Sequence, residues 1–249
     1  ALPIVLTASA SAAETCIKAP YTTSTSDEQN ELSEIYLEIA PALVRFPSLG
    51  EALAGEAPRL CLSDKMDNAH AYLDVDDNRI VISQDLHKDM QVAVLLHEIR
   101  HLEQLALGAC PSDNLAMEEY ARATFAVEAD ASAIALLVAW SMKENGNGLP
   151  WAALSSWPTQ SDIAASFADV MAGSDDAAAA VAAAFDQWYA SADRRELYYL
   201  AACSDYLDRQ DARHALPRYQ LIPDGFYESL CRLPDGGSYD CAHPSIELR

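Results

Sequence analysis

Positive charge is scarce in this 249-residue chain: 16 Lys and Arg stand against 38 Asp and Glu, a formal net charge of −22. Nucleic acid and anionic membrane both recruit positive surface, so neither is an expected partner. Histidine is scarce as well, six in all, so a close pair of them stands out. No segment beyond the N-terminus approaches the roughly 20 uninterrupted apolar residues that span a bilayer, and no stable membrane insertion is expected. There is no G-x-S-x-G elbow, no P-loop and no G-x-G-x-x-G turn, which removes the simplest serine-hydrolase and nucleotide-binding readings. Nor is there a C-x-x-C pair, so a cysteine zinc cluster or a thioredoxin-like motif is not expected. What remains is 51% apolar residues, enough for a globular chain with a sizeable core. Composition leaves the oligomeric state open.

The N-terminus carries its own signal. Ala1-Leu2-Pro3-Ile4-Val5-Leu6-Thr7 is apolar, and the small residues Ala8 to Ala13 follow. This is the pattern of the back half of a signal peptide with an A-x-A site near residues 10–13, so export (periplasmic or secreted) is expected. Six cysteines, at 16, 61, 110, 203, 231 and 241, are then compatible with three disulfides. The turn sequence Leu233-Pro234-Asp235-Gly236-Gly237 would bring Cys231 and Cys241 together. Cys16 with Cys61 and Cys110 with Cys203 is one way to pair the others.

Hydrophobic spacing predicts the elements. Residues 14–26, rich in Thr and Ser, read as a mobile leader. Ser26 then caps a helix whose apolar positions are Leu32, Ile35, Tyr36, Ile39 and Leu43. Arg59–Leu62, His70–Val75 and Arg79–Ser83 read as strands of a small antiparallel sheet, the last two joined by a turn at Asp76-Asp77-Asn78. A helix over about 86–107 follows, capped by Ser83 or Asp85 and stopped by Gly108. A second, unusually apolar helix covers about 114–143 and belongs in the core. Helices over 161–171, from Ser174 to Tyr189 and over 192–209 complete a mostly α, α+β chain. The division expected is a probable signal-peptide remnant (1–13), a core (14–143) and a helical extension packed on it (144–249), the last two compatible with one continuous domain.

The chemistry concentrates in His97-Glu98-Ile99-Arg100-His101. Residues i and i+4 stand one above the other on a helix, so His97 and His101 can grip one metal ion. Glu98 lies one residue round from His97 and can reach a metal-bound water without occupying the metal. Val92, Leu95, Leu96, Ile99 and Leu102 also suit an ordinary amphipathic helix with two surface histidines. A third ligand has to come from elsewhere. Glu128 and Asp130 interrupt the apolar run from Phe125 to Trp140, where a carboxylate is costly unless paired or metal-bound. Glu128 is the expected third ligand, and Asp130, about 200° away on the helix, the second-shell acceptor that fixes the tautomer of a ligand histidine. The competing role for Glu128 is a salt bridge to Arg100 or Arg122. Glu118 and Glu119 are weaker ligand candidates. Tyr120, Tyr198, Tyr199, His214 and Arg195 are all conceivable oxyanion donors, and nothing in the sequence chooses among them. His70, His87, His214 and His243 show no ligand spacing, and Asp74, Asp76 and Asn78 lack the Gly and Glu of a calcium loop.

Taken together, these residues resemble the gluzincin class of zinc peptidases. They resemble more closely a bacterial family of metallopeptidases in which H-E-x-R-H-x-x-Q precedes an E-A-D-A helix; Gln104 and Glu128-Ala129-Asp130-Ala131 match it. The resemblance covers about residues 70–143. It implies a zincin-like core, a Zn2+ ion on His97, His101 and Glu128, Glu98 as general base, and a peptide or protein substrate. Many gluzincins place the ligand Glu four residues before the Asp, where this chain has Ala126, so Asp130 stays beside Glu128 as a third-ligand candidate. The alternative function is a non-catalytic zinc-binding or protein-interaction module derived from a metallopeptidase.

Overall fold

The structure, a computed structural model, describes residues 14–66, 70–216 and 218–242. The apolar stretch read as a signal-peptide remnant and His243 lie outside them. The chain is α+β and mostly helical. It runs β1 (Glu14–Ile17), α1 (Asp27–Arg45), α2 (Pro47–Glu56), β2 (Arg59–Ser63), β3 (Ala71–Asp74), β4 (Arg79–Ser83), α3 (Lys88–Ala106) and α4 (Met117–Glu144). Then come α5 (Leu149–Ser156), α6 (Ser161–Ser174), α7 (Ala177–Trp188), α8 (Ala192–Ala212) and the short α9 (Phe226–Leu230).

The four strands form one sheet in the order β1-β2-β4-β3. It is mixed, not purely antiparallel as the sequence suggests: β3 and β4 form the expected hairpin, but β2 runs parallel to β4. Leu60, Leu62, Ile80 and Ile82 alternate with Cys61 and Val81 along the two central strands and join the main core, the two-residue period of a pleated strand. Helices α1 and α3 pack on the sheet.

Residues 14–17, expected to be mobile, are the edge strand β1. Cys16 sits opposite Cys61 in the antiparallel register, and the two are disulfide-bonded. A covalent tether supplies what so short a polar strand lacks in apolar burial. Cys231 and Cys241 form the second disulfide, as their turn sequence suggests. The third pairing does not occur: Cys110 and Cys203 are free thiols.

The caps follow local chemistry in most places. Ser26 Oγ accepts from the Gln29 N–H at the start of α1, and Asp176 does the same for α7 through Ala179. Neither Ser83 nor Asp85 caps α3, however. Ser83 Oγ is occupied by the Asp85 N–H in the preceding turn, and α3 begins after His87. It ends where expected, with Gly108 at a φ of +69°, the left-handed position that favours glycine at a helix C-terminus.

Helix α4 is the hub, packing against α3, α5, α7 and α8. By length and composition it could cross a membrane, but 83% of its most apolar window is buried inside the protein. Ala121, Ala123, Ala126, Ala129 and Ala133 are fully buried along it, and small side chains let neighbouring helices approach closely. Phe125 packs against Trp188 of α7 with the rings tilted, centroids 5.5 Å apart.

Replacing both Cys16 and Cys61 by Ser should cost about 2–5 kcal/mol, the usual range for a native disulfide. Denaturant melts of the variant against the oxidised wild type measure it.

Candidate metal centre

α3 carries His97 and His101 one helical turn apart, on the face turned toward α4. Their rings meet edge to face with centroids 4.7 Å apart, and the two Nε2 atoms are 3.1 Å from each other. From α4, the Glu128 carboxylate enters the same space. Its Oε2 is 3.4 Å from His97 Nε2 and its Oε1 3.6 Å from His101 Nε2. One donor atom from each of the three residues lies within 4.8 Å of the others.

These separations can be tested against a metal. A tetrahedral ion about 2.05 Å from each donor holds its ligand atoms about 3.3 Å apart. The three separations, two of them to different oxygens of the one carboxylate, lie near that value, so the residues fit a small cation after a slight turn of the Glu128 carboxylate. The chemistry of the donors fits too. His101 Nδ1 is 2.7 Å from Gln104 Oε1; a carbonyl oxygen only accepts, so Nδ1 bears a proton, and in the neutral ring Nε2 turns its lone pair into the cluster. A second group of potential ligands among the described residues, Glu14 with Cys16 and Cys61, offers no such set, because both sulfurs are spent in the disulfide.

Electrostatics separate the two glutamates. Burial raises the Glu98 carboxyl to about 7; the imidazole of His101 opposes the rise and the charge of Glu128 adds to it. The Leu73 N–H of β3 donates to Glu98, which ties this carboxyl to the edge of the sheet. Burial would raise Glu128 as well, yet His101, His97 and the Tyr198 hydroxyl together bring it below its ordinary value. Tyr198, on α8, donates to Glu128, and the nearby carboxylate charge followed by burial holds its phenol well above the usual range. Of the five residues considered as oxyanion donors, Tyr198 is found against the cluster. Tyr120 donates to Asp205 on α8, and Arg195 to the Tyr189 carbonyl.

The arginines that could have claimed Glu128 are engaged elsewhere. Arg122 pairs with Glu118 and Glu119 on its own helix. Arg100, fully buried, pairs with Glu103 and grips Asp130 with two nitrogens, Nε to Oδ2 at 2.6 Å and Nη2 to Oδ1 at 2.9 Å.

Asp130 meets the cluster through an intervening side chain rather than by a direct bond to His97 or His101. Its Oδ2 accepts from Gln104 Nε2 at 2.6 Å, and Gln104 in turn faces His101. The helical phase that keeps Asp130 from joining Glu128 in the cluster also turns it away from the imidazoles, and a glutamine three residues beyond His101 spans the gap. Sequence reading noted Gln104 only as a letter of a motif. Its signal was available, since a side chain at i+3 from a ligand lies on the ligand's own helix face.

A model of the family described as "Putative metallopeptidase family (DUF6782)" matches residues 10–241. The chain belongs to this family. Neither the curated proteins nor the solved structures yield a match. Membership makes the protein metallopeptidase-like and implies a metal cofactor and peptide or protein substrates, in keeping with the donor set above.

Arg100→Met should lower stability by about 3–5 kcal/mol, because it strands the buried Asp130 and Glu103 carboxylates. Urea unfolding measures the loss. A change under about 1 kcal/mol would mean that the ion pair is not needed to join α3 to α4.

Proposed function

We propose that the chain is a zinc-dependent peptidase of the gluzincin type. In this reading His97, His101 and Glu128 hold the ion and Glu98 is the general base. The observation that carries it is the convergence of two imidazole nitrogens and a carboxylate at tetrahedral spacing, with a further buried carboxyl beside them. Two histidines and a glutamate suit zinc and leave its fourth position open. When bound, the ion supplies Lewis acidity: it acidifies the attacking water and polarises the scissile carbonyl.

The chain's own groups account for the proton. A Glu98 oxygen accepts it from the water as the oxygen–carbon bond forms, and delivers it to the amide nitrogen as the carbon–nitrogen bond breaks. Burial favours this exchange, since a carboxyl held near 7 is a stronger base than a solvated one. A cation at the neighbouring donors would draw that value down. The Leu73 N–H keeps the carboxyl aimed, and the Tyr198 hydroxyl orients Glu128. Exclusion of bulk water follows from the burial of Glu98 and the half-burial of the three donors.

A non-catalytic zinc module is the competing reading. A purely structural site closes on a fourth protein ligand, whereas three donors meet among the described residues. Export is part of the proposal as well. Two disulfides suit an oxidising compartment.

Metal analysis of the purified protein should find about one zinc per chain in the wild type and little in His97→Ala, as the three-ligand scheme requires. Glu98→Gln should keep its zinc and lose about 10²- to 10⁴-fold in cleavage of a fluorogenic peptide set, the usual worth of a general base. The absence of stoichiometric zinc from the wild type would end the proposal. Zinc retained with no dependence of cleavage on Glu98 would favour the module.

A further inference from the structure

The C-terminal loop touches the support of the metal centre rather than the centre itself. Cys231 and Cys241 close this loop. The carbonyls on either side of Cys231, Leu230 and Arg232, accept from Arg100 Nη2 at 2.8 and 2.9 Å. Tyr239, two residues before Cys241, donates its hydroxyl to Asp130 Oδ1 at 2.7 Å. Its side chain is buried and packs against Phe185. The loop is also anchored on its far side, where Ser48 Oγ donates to the Pro234 carbonyl at 2.9 Å.

These contacts converge on one carboxylate. Asp130 accepts from Arg100 Nε, Arg100 Nη2, Gln104 Nε2 and Tyr239 Oη, which fills its lone pairs and fixes its plane. Gln104 is then locked in one orientation. Its Nε2 faces two groups that can only accept, Asp130 Oδ2 and the Val127 carbonyl at 2.9 Å, so a flipped amide would set oxygen against oxygen twice. In the locked orientation Oε1 meets His101 Nδ1. That selects the tautomer whose Nε2 lone pair points into the donor set.

We propose that Tyr239 is a positioning residue for the metal centre, acting through Asp130 and Gln104 on the tautomer and orientation of His101. The disulfide-closed 231–241 loop is the brace that holds it there. This rests on the reading of His97, His101 and Glu128 as zinc ligands. Like outer partners of metal-bound histidines generally, these groups should tune affinity.

The test is zinc affinity of the full chain, by competition with a chromophoric chelator, alongside thermal melts. Gln104→Ala should weaken zinc by about 10- to 100-fold, and Tyr239→Phe, which removes one hydroxyl, by about 10-fold, the lower end of what outer partners contribute. Phe167→Leu is the control: it loosens the core where α6 meets Trp140 and Trp151, away from the loop, and should lower the melting temperature with zinc affinity unchanged. Long-range proton–nitrogen spectra of metal-free protein give a second readout, with His101 protonated at Nδ1 in the wild type and in mixed tautomers in Gln104→Ala and Tyr239→Phe. Wild-type affinity in Tyr239→Phe, or equal weakening in Phe167→Leu, overturns the brace while leaving the zinc ligands standing. Wild-type protein that binds zinc no better than His97→Ala removes the ligand reading itself, and the brace with it.

Discussion

Everything at the centre depends on one buried ion pair. Arg100 on α3 and Asp130 on α4 meet with no solvent to share their charge, and they fix the axial position and rotation of one helix against the other. In a core of alanine and leucine, many helix registers bury similar apolar area. The fork of a guanidinium on a carboxylate admits few. Since His97 and His101 belong to one helix and Glu128 to the other, that same restriction sets the separation of the three donors. Desolvating the pair is expensive, and the carbonyls of Leu230 and Arg232 offset part of the cost by also accepting from Arg100 Nη2.

Each group in the cluster is assigned by its surroundings rather than by its type. Two glutamates a few ångströms apart behave oppositely: Glu98, enclosed and near another negative charge, is pushed toward neutrality, while Glu128, facing two imidazoles and a phenol, is held charged. A third carboxylate, Asp130, has every lone pair engaged and nothing left to offer a cation. One helix pair thus contains a carboxyl near neutrality, a candidate ligand and a structural anion. The division follows from which face of which helix each residue occupies.

That logic explains how far the sequence could be read. The helix bearing His97 and His101 declared itself through i, i+4 spacing, and Glu128 through the cost of a carboxylate in an apolar run. Both signals are local, and the structure brings the three residues together. The sheet was harder. A period of two marks strands but carries no direction, so the parallel pairing of β2 with β4 was not visible. The strand at Glu14 was hidden because its pairing depends on a sulfur 45 residues away. Asp130 was correctly singled out as costly but given the wrong neighbour, since its partner Arg100 was considered only for Glu128. Tyr239 left no trace at all: one tyrosine in an irregular tail has no periodicity, and its contact crosses 109 residues of chain.

The span of these contacts bears on the order in which the protein can be completed. All three donors and Glu98 lie between residues 97 and 128, so a chain emerging from the ribosome possesses them about 100 residues before the 231–241 loop is made. Arg100, however, finds two of its acceptors only at residues 230 and 232, and until then a full positive charge in the nascent core is short of partners. Helices α3 and α4 can meet early, but the interior between them becomes fully satisfied only when the final loop docks. The oldest part of the interior thus has its charge completed by the youngest part of the described chain, the loop that Cys231 and Cys241 close.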